Sequence, residues 1–163
     1  MSQQATVLQR LADDHDNQRK LLDQLMETSG DSEERRELFE KLTKELKSHA
    51  AAEEQALYSE MLADPEVNDE TRHSVAEHHE IDEMLNDLAA TDMSSSAWMQ
   101  KFKELDHRYR HHIDEEEDDH FPDFDKEITD AMDKEMTATF DERKKAEKAE
   151  AEITPEKKED AKE

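Results

Sequence analysis

Apolar residues recur at intervals of three and four along most of this chain, the spacing that gathers side chains on one face of an α-helix. Leu8, Leu11, Leu22 and Leu25 make one stripe, and Leu38, Leu42, Leu46 and Leu57 a second. Val75, Ile81, Leu85 and Leu88 make a third, and Trp98, Phe102, Leu105 and Tyr109 a fourth. These stripes predict helices over about residues 4–28, 32–63, 65–90 and 95–120. The gaps carry matching punctuation. Gly30 sits in the first gap, and Ser32 offers a hydroxyl to cap the second helix. Asp64-Pro65 reads as a cap followed by a first-turn proline, and Pro122 closes the fourth helix. A fifth helix follows from about residue 123, with Phe124, Ile128, Met132, Met136 and Phe140 as its ridge. Beyond residue 142 the stripe stops, and 143–163 reads as a charged, disordered tail without a part in the core. The prediction is an all-α fold: an up-down-up-down four-helix bundle over residues 1–142 with a short C-terminal fifth helix.

Each of the four stripes is interrupted near mid-length by ionisable residues. His15 falls on the first, His49 and Glu53 on the second, His78 and Asp82 on the third, and His112 and Glu116 on the fourth. Buried ionisable groups cost several kcal/mol unless they are paired or bind a cation. Four helices carrying such groups at one level of the core therefore point to a metal. The second and fourth helices also read as copies: His-x-x-x-Glu-Glu, then an aromatic nine residues after the His, as HAAAEEQALY and HIDEEEDDHF. A separation of four residues rises about 6 Å along a helix and keeps both side chains on one face. Two metals, each with two imidazoles and sharing two bridging carboxylates, satisfy that inventory. Imidazole and carboxylate without sulfur favour iron, manganese or zinc. Three further pairs, His73–Glu77, His79–Glu83 and His111–Glu115, point off the stripes and read as surface histidines.

Composition narrows the reading further. The 163 residues contain one Gly, three Pro and no Cys, which suits helices and excludes disulfides and thiolate ligands. A formal net charge of −25 argues against nucleic acid and anionic membranes as partners and leaves cations. No run of about twenty apolar residues is present, and the N-terminus lacks the basic-then-apolar layout of a secretion signal. A cytoplasmic monomer is the expectation.

On these residues the chain resembles the hemerythrin-like, HHE cation-binding family. The resemblance spans about residues 6–140, through ADDH, HAAAEEQALY, EHHEI and HHIDEEEDDHFP. It implies two non-haem iron ions with an oxo or hydroxo bridge, and reaction with O2, peroxide or NO. His15, His49, His78 and His112 are then terminal ligands, and Glu53 and Glu116 bridge. Oxygen-carrying members place a second histidine one turn after the helix-3 ligand, where this chain has Asp82. As a ligand, or as an acceptor orienting a ligand imidazole, Asp82 would favour oxidised metal and rapid autoxidation over reversible O2 carriage. The implied role is bacterial stress response, redox sensing or iron handling, and a sensor would need a protein partner for its output. Two rival readings are a ferritin-like di-iron oxidase and a metal-free acidic scaffold. The first needs Glu-x-x-His on two helices, whereas Glu104–His107 and Glu117–His120 both fall on the fourth.

Overall fold

The structure, a computed structural model, describes residues 4–151. Its elements are α1 (Thr6–Met26), α2 (Glu33–Glu53), α3 (Ser59–Leu62), α4 (Asn68–Ala89), α5 (Ser96–Glu115), α6 (Phe121–Glu127) and α7 (Asp130–Ala151). Two single π-helical turns, Glu54–Tyr58 and Glu116–His120, join α2 to α3 and α5 to α6 without a break. The first four long helices pack α1 on α2 and α4 on α5 as an antiparallel bundle, and α7 lies along α2 and α1.

The helix ends explain the turns. Ser32 Oγ accepts the Arg35 N–H at 3.1 Å, the expected cap. Gly30 takes φ +63°, the left-handed conformation that closes the first loop. The Asp64-Pro65 expectation shifts. Asp64 Oδ1 accepts the Glu66 N–H at 2.9 Å and the chain makes a separate turn, so α4 starts at Asn68. Pro122 does not stop the fourth helix either. The Phe121 N–H bonds Glu116 O across the π turn, and Pro122 then occupies the first turn of α6, where a missing N–H is tolerated. The break comes instead at Ile128, whose backbone is extended.

The core falls into two apolar halves with a polar layer between them. One half collects Leu8, Leu11, Leu57, Met61, Phe121, Phe124, Met136 and Phe140. The other collects Leu22, Leu42, Leu46, Ile81, Leu85, Trp98, Phe102 and Leu105. A buried Arg35 closes the far end of the second half, stacked 4.5 Å over the Trp98 ring and donating to Thr28 O and Met93 O at 2.8 Å each. The C-terminal helix is tied in by polar contacts the stripe could not foretell. Asp133 accepts the Thr6 and Val7 N–H groups at 2.8 and 2.9 Å, capping α1 from 126 residues away or more. The helix also continues to Ala151, so the disorder expected from 143 does not begin there. Residues 143–151 present Arg143 to Gln55 Oε1 at 2.6 Å and Lys144 to Asp14 and Glu45, contacts that replace the missing apolar ridge. The remainder of the expected tail, 152–163, lies outside the described residues.

Candidate metal centre

The polar layer is built where the four long helices pass mid-length. His15, on α1, and His49, on α2, bring their ring centroids within 5.1 Å. His78, on α4, and His112, on α5, form a second pair at 5.0 Å. Two carboxylates stand between the pairs. Glu53 Oε1 is 3.6 Å from His49 Nε2 and 3.0 Å from His78 Nε2. Glu116 Oε1 is 3.6 Å from His15 Nε2 and 3.2 Å from His112 Nε2. Each carboxylate therefore faces one imidazole of each pair. Glu53 and Glu116 are fully buried, and none of the four histidines is more than 8% exposed. Glu53, His78, His112 and Glu116 each bring a donor atom within 4.8 Å of the others.

The donors are oriented from outside the layer. His15 Nδ1 lies 2.7 Å from Glu117 Oε2, His49 Nδ1 2.9 Å from Asp14 Oδ2, and His112 Nδ1 2.8 Å from Glu77 Oε1. An Nδ1–H that donates to a carboxylate leaves the Nε2 lone pair facing inward and makes it more basic. The orienting carboxylates have their own cations: Arg19 meets Glu117 at 2.9 Å, and Lys144 packs against Asp14. That ammonium also meets Glu45 at 3.0 Å, so the Asp14–Glu45–His49 group already holds a cation of the chain.

Inside the layer the balance is reversed. Among the described residues, Nε2 of His15, His49 and His112, both oxygens of Glu53 and Oε1 of Glu116 find no hydrogen-bond partner. Buried polar atoms are nearly always satisfied, and leaving one unsatisfied costs roughly 1–3 kcal/mol. Their N···O separations of 3.0–3.6 Å bracket the roughly 3.0–3.4 Å edge that ligands about 2.1 Å from one ion must span. The residues present fit a metal.

Electrostatics agree. Burial, and then the neighbouring Glu116 carboxylate, push the Glu53 carboxyl well above the usual range. His112 is opposed by burial, yet Glu116 and Glu77 hold its imidazolium up to about 9. Burial and then the nearby His112 push His78 well down. A site this crowded settles its charges only by keeping protons or by taking a cation.

Six of the seven residues expected at the site converge. Asp82 does not. Its half-exposed carboxylate pairs with Lys47 at 3.1 Å, because the α4 face that carries His78 inward turns Asp82 toward the bundle edge. Glu104 and His107 are exposed, and Glu117 and His120 part company, Glu117 going to His15 and His120 to Ser74, so the ferritin spacing does not assemble. Four participants were missed: the orienting Asp14, Glu77 and Glu117, and Tyr58. The Tyr58 hydroxyl donates to Glu116 Oε2 at 2.8 Å and lies 3.4 Å from His78 Nε2. The repeated aromatic nine residues after each histidine was the available signal. Each copy contains a π turn at its Glu, starting just after Glu53 in the first and at Glu116 in the second, and π turns concentrate at functional sites.

Comparison with known proteins follows the same lines. A family model described as Hemerythrin HHE cation binding domain matches residues 6–124. Among solved structures, the chain is similar to a Hemerythrin HHE cation binding domain-containing protein from Mycobacterium kansasii, with 26% identity, a TM-score of 0.72 and 90% of each chain covered. No curated protein matches.

Proposed function

This chain belongs to the hemerythrin HHE cation-binding family, and from that premise we propose that its buried layer holds two non-haem iron ions and engages O2, peroxide or NO. The observation that carries the reading is the set of inward, unpartnered donors on four helices, two imidazole pairs with a carboxylate facing both. His15 and His49 would hold one ion, His78 and His112 the other, and Glu53 and Glu116 both. Bound there, iron would supply one-electron redox chemistry toward a small ligand.

The chain's own residues limit what that ligand is. A cavity of about 30 Å³ reaches His49 and His78 between Leu46, Ala50, Ile81, Leu85 and Tyr109, with Lys47 and Asp82 at its outer side. That volume takes roughly one or two water-sized molecules, which suits a diatomic or peroxide and excludes an organic substrate. Its mainly apolar lining keeps bulk water from the layer. Tyr58 holds a proton on Oη, because burial and the nearby Glu116 carboxylate push its ionisation well up. A fixed proton in the layer itself, held against Glu116 and 3.4 Å from His78, favours reduction of peroxide or O2 over reversible carriage, now that Asp82 supplies no such argument. A role in stress response, redox sensing or iron handling follows from that chemistry.

Elemental analysis and an aerobic absorption spectrum of the purified protein test the proposal together. The expected result is close to two irons per chain, reduced to one or fewer by His49→Ala or His112→Ala. Tight binding of a single zinc without iron would sink it.

A further inference from the structure

Outside the buried layer, on the seam between α4 and α5, three imidazoles gather round one carboxylate. Glu115 Oε1 is 3.2 Å from His73 Nε2 and 3.2 Å from His120 Nε2, and its Oε2 is 3.3 Å from His111 Nε2. Glu77 Oε1 lies 3.5 Å from the same His73 nitrogen. Donor atoms of His73, Glu77 and Glu115 all lie within 4.8 Å of one another. His120 is not a loose surface ring. It is 5% exposed, and Ser74 Oγ meets its Nδ1 at 3.0 Å, which aims Nε2 at Glu115.

We propose that His73, Glu77, Glu115 and His120 form a second, outer site for a divalent transition-metal ion, linked to the inner layer through Glu77. Two observations carry this. The N···O separations of 3.2–3.5 Å match the roughly 3.3 Å edge of a tetrahedron whose ligands stand about 2.1 Å from zinc. The donors are mixed imidazole and carboxylate, and one of the imidazoles is buried and held by its other nitrogen, as metal-ligating histidines generally are. Such a set selects ions of the iron–zinc type over calcium or magnesium. Glu77 gives the site a consequence. The oxygen that faces His73 also accepts from His112 Nδ1 at 2.8 Å. A cation drawing on that oxygen weakens its hold on His112 and so changes the field at the inner layer.

The test uses the full chain with its inner iron in place, titrated with Zn2+ alone while released iron is measured. Only the coupling readout rests on the inner di-iron reading. The stoichiometry stands apart from it, because zinc uptake at the seam is also read in His49→Ala protein. One further equivalent of Zn2+ is expected, with a shift in the inner absorption bands as it binds. His73→Ala, an exposed position that the fold tolerates, and its combination with Glu115→Gln should weaken that equivalent by about tenfold or more and abolish the shift, leaving iron content unchanged. The outer site is overturned if wild-type protein takes no further zinc, if zinc only displaces iron, or if both variants bind as wild type does.

Discussion

The Lys144 ammonium packs against Asp14, and the same Asp14 oxygen lies 2.9 Å from His49 Nδ1. A residue from the last helix thus reaches an imidazole of the buried layer through one carboxylate. Burial raises the Asp14 carboxyl, but His49 and Lys144 outweigh it and hold it below the usual range.

Lys144→Ala leaves Asp14 and Glu45 without their shared cation. The side chains are 11, 16 and 13% exposed, so the cost should fall just below that of breaking a fully buried pair, about 2 kcal/mol. Thermal melts should drop by about 4–8 °C, and truncation after residue 142 should be at least as damaging. Equal melting temperatures would show that the His49 side of the layer stands without α7.

Chelation should destabilise the fold in a pH-dependent way. His112, held up to about 9, contributes stability in the chelated protein that is fully present below the ordinary imidazole value and lost as pH rises through 9. The raised Glu53 acts with the same sign. His15 and His78 are shifted down, so above pH 7 they are neutral both folded and unfolded and add no slope. Loaded protein has a cation in place of these protons. Melting curves should show the gap between loaded and chelated forms widening from pH 7 to 9, and a constant gap would contradict the charge balance described for the layer.

Tyr58→Phe removes one buried hydroxyl and little else, since the ring is 1% exposed and the shapes match. Losing its donation to Glu116 should cost about 1 kcal/mol in the chelated protein. Metal content should persist while peroxide turnover falls and the iron absorption bands move. A variant with unchanged spectrum and turnover would leave Tyr58 a packing residue.

Asp82→Ala should keep full metal content and the same absorption bands, because the carboxylate faces Lys47 and not the layer. Stopped-flow mixing with a small anion such as azide should show faster entry once the Lys47–Asp82 pair at the cavity is opened. Loss of iron would return Asp82 to the ligand set.

Periodicity within each helix determined most of the inward-facing His/Glu layer before any packing was known. Residues three and four apart share a face whatever the helix packs against, so the apolar neighbours of His15, His49, His78 and His112 already placed these rings inward, with Glu53 and Glu116 one turn on. The same rule misplaced Asp82. It sits at the margin of its stripe, beside the buried Ile81, and only the position of α2 decides whether such a residue points to the core or to Lys47. The orienting contacts lay equally beyond local spacing. Glu117 meets His15 across 102 residues, and Asp133 caps α1 across 126 or more, pairings that a stripe on one helix cannot encode. The last helix shows the limit most plainly. Its apolar ridge ends where expected, but the α-helix runs on to Ala151 because charged side chains, Lys144 first among them, find partners on α1 and α2 that exist only once the bundle has formed.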